Sequence, residues 1–167
     1  MEFGYLVPLW ILPLLATAFR VLSHAKKEGS LRISIWDCAK DQFLGVTIYG
    51  LFGPLLGFAP FGLFLVAIDG KFQHIWLLIP LSMFSYPVGG IPALAAGAIV
   101  GAIKPWLWGW RALGVSSAIG AVLTLTWVFA AGYTERLGGV LLFSACGAVG
   151  GLVCARMWFG RPGKADP

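Results

Sequence analysis

The chain has 167 residues, 59% of them hydrophobic and 11% charged, with a net charge of +5 and a mean hydropathy of +0.85. A soluble domain carries about a quarter charged residues, so this chain has too few to cover a water-facing surface, and its natural solvent is a bilayer. The basic residues punctuate apolar runs instead of forming one continuous patch, which argues against nucleic acid as a partner.

The chain opens with "MEFGYLVPLWILPLLATAFR". Its first charge is Glu2, where a secretory signal would begin with a basic stretch, so the run reads as a retained first span over about residues 3–23. No asparagine occurs in the chain, hence no N-glycosylation acceptor, and the Ala/Gly/Leu-rich composition points to a bacterial gene. The loop that follows carries Lys26, Lys27, Arg32 and Lys40. Within it, "SLRISIWDCAKDQF" sets Ile33, Trp36 and Phe43 near one face, the pattern of a helix lying in the membrane interface.

Four more apolar runs reach the ~20 residues needed to span as a helix: about 43–68, 75–103, 113–131 and 139–157. None alternates as a barrel strand would. The second run is interrupted by "GPLLGFAPFG" and the third by "SYPVGGIP", so both are expected to kink. At 29 residues the third would reach about 44 Å as a straight helix, against a hydrocarbon core near 30 Å, and tilt or a kink absorbs the surplus. After it, "KPWLWGWR" sets Trp106, Trp108 and Trp110 beside Lys104 and Arg111, as an aromatic belt meets headgroups. Residues 159–167 form a short basic tail behind a single transmembrane domain, residues 1–158.

Charge orients the spans. If all five cross, Arg20, Lys26, Lys27, Arg32, Lys40, Lys104, Arg111, Arg156, Arg161 and Lys164 share one side, and only Lys71 and Arg136 take the other. The positive-inside rule puts the ten in the cytoplasm, the N-terminus outside and the C-terminus inside. Were the third run a re-entrant hairpin, the split would be six to six. The lopsided count favours a crossing.

The chemistry on offer is thin. All seven carboxylates fall at span ends or in loops, with Arg20 and Arg156 expected to snorkel outward, whereas proton-coupled carriers place ionisable groups inside. The sequence holds no GxSxG, HExxH or GxxxxGK[ST]. Asp69 and His74 read as solvated loop residues, and His24 and His74, on opposite faces, do not suit a haem. Cys38, Cys146 and Cys154 lack metal or disulfide spacing and read as apolar filler. No cofactor, metal or catalytic residue is expected.

What abounds is small residues four apart: Ala93, Gly97 and Gly101 in the third span, Ser116, Gly120 and Thr124 in the fourth, Gly147, Gly151 and Ala155 in the fifth. Such ridges let helix backbones approach where lipid supplies no hydrophobic drive. The expected architecture is an all-α bundle of five transmembrane helices with kinked second and third spans, in a bacterial inner membrane. The expected role is non-enzymatic: packing of these ridges against another membrane protein or a second copy, as accessory subunit, assembly partner or inhibitor. The alternative is a small carrier or channel that uses the two interrupted spans, with Tyr86, Gly89 and Gly90 as binding candidates.

Overall fold

A computed structural model describes residues 7–28, 31–69, 75–132 and 137–160. Every regular element among them is helical: α1 (Val7–Glu28), α2 (Leu31–Gly57), α3 (Ala59–Asp69), α4 (Ile75–Ile103), a 3₁₀ turn (Lys104–Trp106), α5 (Gly109–Ala130) and α6 (Leu137–Phe159). Four runs are long and apolar enough to cross a membrane: Ile35–Leu65, Ser85–Trp106, Gly109–Ala130 and Leu137–Phe159. They suit a multi-pass membrane protein. Large apolar side chains such as Leu14, Trp36, Phe43, Leu63, Met83 and Leu141 stand exposed on the outside of the bundle, which water would penalise and hydrocarbon does not. The first expected span corresponds to α1, which is not among those four runs, and its opening residues lie outside the described part.

The largest departure from the sequence reading is at α2. The helix begins at Leu31, so the segment expected as a loop with an interfacial helix is instead the first three turns of a long helix that runs on into the membrane. Nothing between Leu31 and Phe43 breaks a helix, and Asp41, near the end of that stretch, is paired inside the bundle. At the other end, α2 and α3 are separated by the single residue Phe58. The hydrogen bonds Phe58 N–H to Pro54 O at 3.1 Å and Gly62 N–H to Phe58 O at 3.0 Å bridge the gap. Helix α4 has the bounds read from sequence for the third span, although the run long and apolar enough to cross is Ser85–Trp106, and Pro80, Pro87 and Pro92 leave α4 one continuous helix. Proline lacks an N–H, so the carbonyls of Met83 and Val88 lose their usual donors; surrounding helices let membrane helices tolerate this.

Backbone proximity organises the packing. α2 and α4 run antiparallel in close register: a Cβ added to Gly97 would collide with the Gly45 carbonyl, and one on Gly101 would meet Asp41 and Gln42 backbone. α5 and α6 do the same, with Gly120 against the Gly147 carbonyl and Gly151 against the Ser116 carbonyl. Ser117 Oγ adds a bond to Ala148 O at 3.0 Å. A third seam joins α2 to α6, where Gly57 meets the Cys146 carbonyl and Gly150 meets Gly53 and Gly57. Thus α6 shows α5 one glycine face and α2 another. The tight α4–α5 turn relies on Gly109 at φ +51, a left-handed conformation open to glycine without strain.

Candidate functional site

Two features stand out: a charge cluster at one end of the bundle and an apolar cavity in its middle. The first is built where the C-terminal part of α1, the N-terminal part of α2 and the end of α4 converge. Arg20 is only 4% exposed. Its Nη1 donates to Gly101 O at 2.7 Å and its Nη2 to Asp41 Oδ2 at 2.7 Å. Asp41 Oδ1 accepts from Lys104 Nζ at 2.7 Å, and that ammonium lies 5.3 Å from the Trp158 ring centroid. One carboxylate therefore serves two cations. The planar fork of arginine suits it to hold a carboxylate and a carbonyl at once. Below the cluster, Gln42 Nε2 donates to Thr17 Oγ1 at 2.6 Å and Ala98 O at 3.3 Å. Above it, Trp106 meets Phe19 and His24.

This cluster corrects the sequence reading twice. Arg20 does not snorkel but is buried, and Asp41 is a helix residue inside the bundle, not a loop carboxylate. The missed signal was spacing: Asp41 stands 21 residues beyond Arg20 and 63 before Lys104, which brings the three together once α1, α2 and α4 alternate in direction. The cluster's acceptors are all occupied, so its work is to lock α1 onto α2 and α4. Lys71, His74, Glu135 and Arg136, and with them the reading of the Asp69–His74 loop, lie outside the described residues.

The cavity has a volume of about 260 Å³ and lies between α2, α3, α4, α5 and α6. Its walls include the two interrupted segments, Gly53, Pro54 and Gly57 of α2 with Phe58 just beyond its end, and Ser85, Val88, Gly89 and Pro92 of α4, which adjoin where Gly89 meets Pro54. α5 contributes Gly120, Thr124, Trp127 and Val128, and α6 contributes Phe143, Cys146, Gly147, Gly150 and Gly151. Glycine and proline leave space where leucine would fill it, and almost every wall atom is carbon. One end is closed by Tyr49 and Ala96, 1% and 2% exposed, with Gly120 and Gly151 also buried. Tyr49 packs edge-on to Trp158 at 6.4 Å and its hydroxyl points to Gly151 O at 3.4 Å. Towards the opposite end part of the lining is accessible: Phe61, Ser85 and Trp127 are half-buried and Val88 is 39% exposed, while Val128 stays buried.

Of the three binding candidates, Gly89 lines this cavity, 3.8 Å from Pro54 by its would-be Cβ. Gly90 faces open space. Tyr86 donates its hydroxyl to Leu51 O at 2.6 Å, tying α4 to α2 on the exposed side. Of the packing candidates, Ala93, Gly97 and Gly101 meet α2, Gly147 and Gly151 meet α5, and Ala155 is fully buried. The sequence reading overlooked the ridge on α2, Gly45, Gly53 and Gly57, because Tyr49 stands in its middle and masks the four-residue repeat. No protein-family model matches the chain, and neither does any curated protein or solved structure.

Proposed function

We propose that the chain is a five-span protein of a bacterial inner membrane, N-terminus outside and C-terminus in the cytoplasm, that takes an apolar molecule from the bilayer into the cavity walled by its second and third spans. Its work is non-enzymatic, in the manner of a small carrier or lipid-phase binding protein. The observation that carries this reading is the cavity itself: the Gly- and Pro-rich segments 53–58 and 85–92, in contact with each other where Gly89 meets Pro54, both line it together with α5 and α6. Pockets of roughly 300–1,000 Å³ hold drug-sized ligands, so about 260 Å³ suits a smaller one. The charge distribution supports the orientation, since Arg20, Lys40, Lys104, Arg111 and Arg156 all lie towards one end of the alternating helices.

The role expected first, packing against another membrane protein, rested on small-residue ridges in excess of what the chain needs. Those ridges meet one another inside the bundle. With them engaged, the cavity becomes the stronger ground for a function.

Substitution at two adjacent glycines tests the proposal. Gly89→Leu adds a side chain at the cavity wall, beside Pro54, whereas Gly90→Leu projects one into open space. Purified from its membrane in mild detergent and examined by native mass spectrometry, the unmodified protein should carry a bound apolar molecule. Gly90→Leu should keep it and Gly89→Leu should lose it. An unmodified protein with nothing bound, or equal retention by both variants, contradicts the proposal.

A further inference from the structure

The shape of the cavity narrows the ligand to a chemical class. Resting on the reading above, we infer that it receives one hydrocarbon chain of a lipid, end-on, from the leaflet opposite the Arg20–Asp41–Lys104 cluster, with the terminal methyl against Tyr49.

Size comes first. An apolar cavity of about 150 Å³ stays dry and holds one benzene, so about 260 Å³ holds on the order of ten carbons. Shape comes second. The lining runs from Gly120 to Val128 on α5 and from Phe143 to Gly151 on α6, about 12 Å along each axis. The lining therefore extends along the helix axes, the direction in which lipid chains lie. A phospholipid headgroup there would meet carbon on nearly every side.

Depth is the third argument. Tyr49 lies eight residues along α2 from Asp41, about 12 Å deeper than the charge cluster. In a hydrocarbon core near 30 Å thick, a cluster at the interface puts the closed end of the cavity close to the bilayer midplane. The accessible end, at Phe61, Ser85 and Val88, then opens into the far leaflet. Chain termini of that leaflet's lipids already reach the midplane. Entry of one chain exchanges lipid contacts for protein contacts without dehydrating a polar group, and its headgroup stays at its own interface. Tyr49 closes the slot with its ring and turns its hydroxyl to Gly151, so the end presented to the chain is carbon.

Photolabelling of the full-length protein in phospholipid vesicles tests this. Two diazirine fatty acids are compared, one with the reactive group at the terminal carbon and one with it near the carboxyl. A small aryl diazirine serves as a compact apolar probe. The terminal label is expected on peptides containing Tyr49, Ala96 or Gly151, and the carboxyl-proximal label near Phe61 or Ser85. Gly89→Leu should lower terminal labelling at least about tenfold, as overfilling a packed site does, while Gly90→Leu leaves it within about twofold. If the aryl probe marks the cavity and the fatty acids mark only lipid-facing residues such as Leu63 and Leu141, the hydrocarbon-chain inference is overturned and the broader binding proposal stands. If the label positions are reversed, the end-on direction is overturned. If no probe reaches the cavity, both fall.

Discussion

Arg20 and Asp41 illustrate how much one partner decides for another in a membrane. The guanidinium is buried against the Asp41 carboxylate and the Gly101 carbonyl, and removing one side of a buried ion pair costs more than the pair contributes, because the remaining charge is left in low dielectric. Asp41→Asn should therefore destabilise the fold by on the order of 3 kcal/mol, read as a lower midpoint in denaturant-induced unfolding in mixed micelles. Lys104 has a side chain 35% exposed at the end of the bundle, so Lys104→Met should cost about 1 kcal/mol or less. Equal losses from the two would contradict this hierarchy. Neither partner was legible from sequence alone. Arg20 near the end of an apolar run looks like an arginine that reaches for headgroups, and only the antiparallel return of α2 and α4 supplies the acceptors that keep it inside. Gly89 and Gly90, by contrast, were legible as a pair and indistinguishable as individuals. One faces a cavity and the other open space, because neighbours in a helix point about 100° apart.

Among the elements, α5 and α6 meet as closely as α2 and α4 do. A Cβ on Gly120 would drive into the Gly147 carbonyl, which is backbone and cannot swing aside. Gly120→Ala should thus cost about 1–3 kcal/mol through overpacking. Gly114 sits on the same helix with open space beyond it, so Gly114→Ala should be neutral or up to about 1 kcal/mol stabilising, from helix propensity alone. Thermal unfolding of the two variants in the same detergent checks the contrast; similar shifts would mean that the seam is looser than described. The ridges on α4, α5 and α6 were visible in the sequence because each repeats a small residue every fourth position. The ridge on α2 was hidden by one aromatic. Tyr49 holds the place where the repeat wants glycine, and it is the residue that closes the cavity. Helix bounds were most legible where polar residues flank an apolar run, as at α4, and least at α2, whose first turns carry four charges, of which tertiary pairing draws Asp41 indoors.

For the whole molecule, the two ends differ in kind. One gathers the charge cluster, the tryptophans at 106, 108 and 158 and the α4–α5 turn; the other is where the cavity becomes accessible. Five crossings, as read from the sequence, would divide the basic residues ten to two, and the charge cluster lies at the end that would hold the ten. The cavity was announced only as a pair of interruptions. Glycine and proline in two antiparallel spans are equally compatible with kinks that pack tight, and whether space remains depends on α5 and α6, which the sequence of α2 and α4 does not contain. Sidedness is also the premise for the leaflet from which a lipid chain would enter. The most direct test is the position of the two chain ends in living bacteria, with a reporter that functions only outside and one that functions only in the cytoplasm fused to each in turn. The N-terminal fusion should be active only with the external reporter and the C-terminal fusion only with the cytoplasmic one. Both ends in one compartment would mean an even number of crossings, and the five-span bundle with its far-leaflet cavity would be contradicted.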